Sequence, residues 1–169
     1  VIIQPDTARA AAFTARLIAD ALCAKPDLVL GLATGRTMEP VYARLVELYR
    51  ETGLDFSRCT TFNLDEYVGV EPDDARSYRH TMQRLLFDHV NLRPETVHLP
   101  DGMAADLPAA CRAYEEAIDA AGGIDLQLLG MGSDGHIGFN EPLSSFASRT
   151  REKCLTPDTL LQNAPLCGG

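Results

Sequence analysis

Apolar positions along this chain change their spacing from one segment to the next, and the changes predict helices alternating with strands. Over residues 7–24, Phe13, Leu17, Ile18 and Leu22 recur at the spacing of one helix face, which predicts an alanine-rich amphipathic helix. Residues 28–33 (LVLGLA) are apolar without alternation, as expected of a strand buried on both faces in a parallel sheet. A helix is expected over about residues 38–52. Pro40 suits its first turn, Val41, Leu45 and Leu48 share a face, and Gly53 supplies a stop. Residues 59–64 (CTTFNL) form the next strand. Residues 77–90 read as a helix capped by Ser77, with Met82, Leu85, Leu86 and Val90 apolar. A brief strand is expected over 97–99. A helix over 106–121 is capped by Asp106, opened near Pro108 and closed by Gly122 and Gly123. Residues 125–131 (DLQLLGM) are the third clear strand, and the β-branched opening at 1–4 suggests an edge strand.

Strands alternating with helices predict one α/β domain over residues 1–169, with a mostly parallel sheet. Right-handed crossovers place helices on both of its faces. Composition narrows the function more than the fold. The formal net charge of -9 argues against non-specific nucleic-acid binding, which needs a basic face, yet a local cluster can still hold a small anion. Cys23, Cys59, Cys111, Cys154 and Cys167 are scattered, odd in number and outside any CxxC pair, so free thiols are expected rather than a disulfide frame or a zinc site. No apolar run approaches the ~20 residues that cross a bilayer, and no signal segment opens the chain, so a cytoplasmic protein without a membrane partner is expected. The chain opens on Val1 and stops at QNAPLCGG without a closing element, as a fragment or a C-terminally truncated chain would.

Three polar loops follow the three strong strands: TGRT, DEYVG and GSDGHIGFNEP. In a parallel sheet these are all carboxyl ends, so they open on one edge, where ligands of open α/β sheets bind. Gly35, Arg36 and Thr37 form a glycine turn entering a helix. Free backbone N–H groups and the positive end of the helix dipole suit a phosphate there, although such a glycine is also common for its backbone angles alone. Asp65 and Glu66 are adjacent, so in an extended segment only one faces the cleft. Either the pair caps the next element, or one carboxylate is a base whose basicity burial raises enough to take a proton from carbon.

The third loop sets His136 between Asp134 and Glu141, among Gly130, Gly132, Gly135 and Gly138, which let the backbone fold tightly. A neighbouring acid fixes an imidazole's tautomer, and the three groups would titrate together. Catalysis, a structural histidine and metal binding are all open readings, the last with one His and acids and no second His or Cys nearby. His80, His89 and His98 carry no assigned role. Ser144, Ser145, Arg149, Arg151 and Lys153 put five donors in ten residues, either an anion site or a solvated basic face.

Taken together, LGLATGRT, TFNLDEYVG, SYRHTM, FDHVN, CRAYEEAI, LLGMGSDGHIGFNEP and SSFASRTREK resemble the glucosamine-6-phosphate deaminase (isomerase) family over nearly the whole chain. The related 6-phosphogluconolactonases share the glycine-flanked DGH but not the FNEP continuation or the tyrosine-glycine after DE. The resemblance implies a Rossmann-like three-layer α/β sandwich and an enzyme without cofactor or metal. It implies conversion of glucosamine 6-phosphate and water to fructose 6-phosphate and ammonia. By position it makes Asp65 the base that moves the C2 proton to C1, and His136 the ring-opening residue. Asp134 and Glu141 become the carboxylates that hold that histidine, and Gly35, Arg36 and Thr37 the phosphate loop. Ser144, Ser145, Arg151 and Lys153 match an allosteric anion site of hexameric bacterial members, so the implied partners are small sugar phosphates, with room for a homo-oligomer. Two positions depart from the family pattern. Arg36 stands where many members have a small residue, and Pro165 stands where an arginine clamps the substrate phosphate. A lactonase of the same fold and a non-catalytic sugar-phosphate sensor are the alternatives; the chain shows no helix-turn-helix pattern for the second.

Overall fold

The computed structural model describes residues 1–132 and 134–157; Pro165 and Cys167 lie outside the described residues. The first helix, α1 (Thr7–Ala24), starts where Asp6 Oδ1 accepts the Arg9 N–H at 2.7 Å. Its buried side is Ala11, Ala15, Ile18, Ala19 and Leu22. The three alanines let α1 lie close against α2 (Glu39–Thr52), which turns the buried stripe away from the larger residues. Leu17, expected on that stripe, is therefore exposed, and Phe13 is only half-buried. Helix α2 buries Val41, Tyr42, Leu45, Val46 and Leu48 and ends at Gly53, whose φ of 71° is the left-handed cap anticipated for it.

Strand β1 (Val29–Leu32) pairs in parallel with β2 (Thr60–Asn63) on one side and β4 (Leu126–Gln127) on the other; β2 pairs in parallel with β3 (Val97–His98). The order is β3-β2-β1-β4, an all-parallel four-stranded sheet. Register places Leu30 beside Thr61 and Leu126. Leu30 and Leu32 join α1 and α2 in the main core. Phe62 points the opposite way, stacked on His98 at 4.5 Å and edge-on to Tyr114 of α4 (Leu107–Ala120) at 5.7 Å. Helices thus cover both faces, as the crossover argument requires. Asp125 ties the start of β4 to that of β1, accepting the Val29 N–H at 2.8 Å and pairing with Lys25.

Several expected boundaries move. Residues 1–4 form no strand and Val1, Ile2 and Ile3 are exposed; among the described residues no strand pairs with them. The helix expected over 77–90 is α3 (Tyr78–Leu85). Leu86 leaves helical geometry at φ -139° to bury its side chain, and a 3-10 turn (Phe87–His89) follows. The strand expected over 125–131 pairs only at β4. The Leu128 N–H still reaches Gly31 O at 2.9 Å before the chain turns away at the glycines. The brief strand expected over 97–99 is β3, which carries His98, and burial lowers the pKa of that histidine.

Candidate active site

Because β1, β2 and β4 are parallel neighbours, the loops leaving them open on one edge of the sheet. There they enclose a cavity of about 250 Å³, lined among others by Gly35, Arg36, Thr37, Asp65, Tyr78 and His136. The loop after β1 is held from below by Tyr42. Its fully buried hydroxyl donates to Ala33 O and accepts the Ala33 N–H at 3.3 Å. Gly35, at φ 120°, turns the chain, and the Met38 N–H closes the turn on Gly35 O at 2.9 Å. Arg36 and Thr37 are left exposed at the rim. Helix α2 begins without a side-chain cap, with Pro40 in its first turn and the Val41 N–H returned to Met38 O at 2.9 Å, so it is chiefly the positive end of the helix that is offered at this rim, an arrangement suited to a phosphate.

The two acids after β2 take opposite directions. Glu66 turns back onto α3. Its Oε1 accepts the N–H groups of Tyr67 at 2.8 Å and Tyr78 at 2.9 Å, and its Oε2 accepts that of Arg79 at 2.9 Å. Asp65 turns into the cavity, where Gly138 passes so close that a Cβ there would lie 3.1 Å from Asp65 Oδ2. Burial, reinforced by the charge of Glu66 and only partly offset by the Phe139 N–H, pushes the Asp65 carboxyl up to about 7. A carboxylate with that basicity suits proton abstraction near neutral pH.

The loop after β4 folds on itself. The Gly132 N–H donates to His136 O at 2.8 Å, and a Cβ on Gly132 would fall on the His136 ring, so a bare backbone is required there. His136 Nδ1 lies 2.6 Å from Asp134 Oδ1, which also accepts the His136 backbone N–H at 3.2 Å. That backbone bond leads the causes that hold Asp134 below the usual carboxylate range, so Asp134 is the ionised acceptor. The Nδ1 position then carries the proton and Nε2 remains for chemistry. Glu141 approaches from the end of the loop, its Oε1 accepting the N–H and hydroxyl of Thr156, each at 3.0 Å. One potential ligand atom each from Asp134, His136 and Glu141 lies within 4.8 Å of the others, close enough to hold a cation. The commitment of His136 Nδ1 to Asp134 makes the trio equally an acid–base unit.

A cluster of three rings joins the second and third loops: Tyr67 and Tyr78 at 4.9 Å, Tyr67 and Phe139 at 5.1 Å, Tyr78 and Phe139 at 5.7 Å. The Tyr78 hydroxyl donates to that of Tyr67 at 3.2 Å, and burial with the nearby Asp65 charge keeps the Tyr78 phenol neutral. None of these rings has a role in the site by sequence alone, although Tyr67 and Phe139 belong to the DEYVG and FNEP stretches that carry the resemblance and Tyr78 directly follows the cap residue Ser77. Ser144, Ser145, Arg151 and Lys153 lie on a following segment and do not line the cavity. All but the half-buried Ser144 are exposed. Arg151 donates to Asn140 Oδ1 at 3.1 Å, while Arg149 pairs with Glu115 at 3.0 Å.

The chain is similar to known proteins over the same region. Residues 6–141 match the family model of glucosamine-6-phosphate isomerases/6-phosphogluconolactonase. A glucosamine-6-phosphate deaminase of Arthrobacter sp. (strain FB24) is 57% identical over 164 residues, covering 97% of this chain and 63% of the relative. Glucosamine-6-phosphate deaminase 2 of Bacillus subtilis (strain 168) is 49% identical over 156 residues, covering 92% of this chain and 63% of the relative. The chain therefore spans about three fifths of the length of the curated relatives it matches. Among solved structures, a monomeric glucosamine-6-phosphate deaminase superposes with a TM-score of 0.93 at 45% identity, over 95% of this chain and 66% of that one. A 6-phosphogluconolactonase from Thermotoga maritima superposes less closely, with a TM-score of 0.66 at 27% identity, over 82% of this chain and 62% of that one. Since the family match takes in most of the chain, including all three loops that build the cavity, the chain belongs to the family of glucosamine-6-phosphate isomerases and 6-phosphogluconolactonases.

Proposed function

We propose that this chain carries the catalytic centre of a glucosamine-6-phosphate deaminase. The observation that carries the reading is the meeting, in one cavity, of a carboxyl raised to about 7 and an acid-oriented imidazole, with the loop of Gly35, Arg36 and Thr37 at the rim. The rim loop holds the phosphate through backbone N–H groups, the Thr37 hydroxyl and the Arg36 guanidinium. His136, oriented by Asp134 and backed by Glu141, moves the proton at the ring oxygen and opens the pyranose. The aldehyde so formed acidifies the C2 proton. Asp65 takes that proton, giving an enolamine, and returns it at C1, leaving a C2 imine. Water adds to the imine, and fructose 6-phosphate and ammonia leave.

The family also contains lactonases. The deaminase names of the Arthrobacter and Bacillus relatives, at 57% and 49% identity, support the amino-sugar reading over the lactone one. Ser144, Ser145, Arg151 and Lys153 are proposed as a second anion site outside the catalytic cavity, the place for a regulatory sugar phosphate. The four cysteines among the described residues are all unpaired, which supports a reducing, cytoplasmic setting. Among the described residues, no helix is long and apolar enough to cross a membrane. The test is release of ammonia and fructose 6-phosphate from glucosamine 6-phosphate by the purified protein that carries this chain. Hydrolysis of 6-phosphogluconolactone without ammonia release from the amino sugar would overturn the proposal.

A further inference from the structure

The N-terminus of α3 is satisfied from outside the helix in an unusual division. The Ser77 N–H donates to Asp74 O at 2.9 Å, and Ser77 Oγ accepts the N–H of His80 at 2.9 Å. The two remaining orphan donors, on Tyr78 and Arg79, both end on Glu66, twelve and thirteen residues earlier in the chain. Glu66 also accepts the N–H of the next residue, Tyr67, so its carboxylate gathers three backbone donors. A helix cap needs no acid next to a catalytic base; serine, as at Ser77, serves. Glu66 stands directly beside Asp65, and the first residue of the helix it holds is Tyr78, which lines the same cavity as Asp65.

We infer that Glu66 is a positioning residue for the reaction, which locks the Asp65 loop and the Tyr78 wall of the cavity into one unit and keeps a fixed negative charge beside the base. This rests on the deaminase reading of the site. Geometry carries the positional part. Asp65 and Glu66 share one peptide bond, so three bonds that fix the Glu66 carboxylate also fix the direction in which Asp65 leaves the backbone. The charge acts in the same sense, since Glu66 is the charged group that raises Asp65, second only to burial. The other titratable groups around Asp65 are Tyr78 on α3, Tyr114 on α4, His136 on the loop after β4 and Arg36 on the loop after β1. Both phenols are held neutral at physiological pH by burial, so Glu66 is the near negative charge on the base's own loop.

The experiment compares Glu66→Gln with Ser77→Ala in the protein that carries this chain. Glutamine keeps one acceptor for the Tyr67 and Tyr78 N–H groups, so the fold is retained, but it loses the charge and the bond to Arg79. Ser77→Ala removes the hydroxyl that accepts the His80 N–H and donates to Pro72 O at 2.8 Å, so it weakens the same helix start while leaving the Glu66 charge and its three bonds beside Asp65 in place. For Glu66→Gln, kcat is expected to fall about tenfold to a hundredfold with KM changed far less. The acid limb of kcat/KM should also move to lower pH by roughly half a unit or more, because a base relieved of a neighbouring negative charge loses its proton more readily. Ser77→Ala is expected to lower the denaturation midpoint while leaving the pH profile in place. A Glu66→Gln enzyme with unchanged kcat and pH profile overturns the inference, and so does a Ser77→Ala enzyme with the same shifted profile. Failure of the deaminase reading is recognised separately, by absence of ammonia release from the unsubstituted protein.

Discussion

Replacing Asp65 with asparagine should abolish turnover and at the same time make the protein more stable, in a manner that depends on pH. The side chain keeps its shape, and only the ability to carry charge in the cavity mouth is lost. Burial and the Glu66 charge lift the Asp65 carboxyl from 3.8 to about 7. Below pH 4 both folded and unfolded chains hold the proton, and the native state pays no ionisation penalty. Between pH 4 and 7 the unfolded chain has released its proton while the folded chain keeps it, so stability contributed by the protonated form is lost as pH rises. Above 7 both forms are ionised and the loss is complete. A full shift of that size corresponds to roughly 4 kcal/mol, and solvent reaching the half-open site reduces this to about 2 kcal/mol. Urea unfolding at pH 4, 6 and 8 measures the effect. The variant should match the unsubstituted protein at pH 4 and exceed it by about 2 kcal/mol at pH 8, while ammonia release falls at least about a thousandfold. An equal stability difference at all three pH values would show that Asp65 is not held in the raised state, and residual turnover near normal would remove it from the proton transfer.

The other predictions concern the walls of the cavity. Gly132→Ala places a methyl on the His136 ring, so kcat should fall about tenfold to a hundredfold while circular dichroism and the denaturation midpoint stay close to normal; unaltered kcat would mean the ring can sit elsewhere without loss. Arg36→Ala removes the guanidinium at the rim. The KM for glucosamine 6-phosphate should rise about an order of magnitude with kcat changed less, and inorganic phosphate should inhibit correspondingly more weakly; an unchanged KM would leave phosphate binding to the backbone and the Thr37 hydroxyl. Tyr42→Phe leaves the buried Ala33 carbonyl without its hydroxyl donor, at a cost of about 1–2 kcal/mol, read by calorimetry as a lower Tm.

Periodicity sufficed for the elements that bury most of a face. Strand β1 is buried at all four positions, and its uninterrupted apolar run leaves no competing reading. Helix α2 carries its proline, its stripe and its glycine where the local rules place them. Weaker elements were misjudged where tertiary packing sets the boundary. Residues 1–4 have the composition of a strand but no strand beside them among the described residues, and pairing cannot be read from one segment alone. Leu17 fits a helical stripe by spacing, yet the alanines decide which side of α1 approaches α2. Leu86 extends an apolar pattern but reaches the core by leaving the helix.

The site was legible for a different reason. In a parallel sheet the strand ends share an edge by topology, so loops far apart in sequence are brought together before any side chain is placed. What remained hidden was the division of work within a loop. Alternation requires that Asp65 and Glu66 diverge, but it is silent on which of them caps and which enters the cavity. The start of α3 decides it, because two unsatisfied N–H groups there need an acceptor and Glu66 is the acid that reaches them. Once Glu66 is spent on the helix, its charge is held out of the cavity but remains beside the base. The functional reading and the capping reading of the two acids are therefore not alternatives: the cap is what lets the neighbouring carboxylate stay both buried and basic.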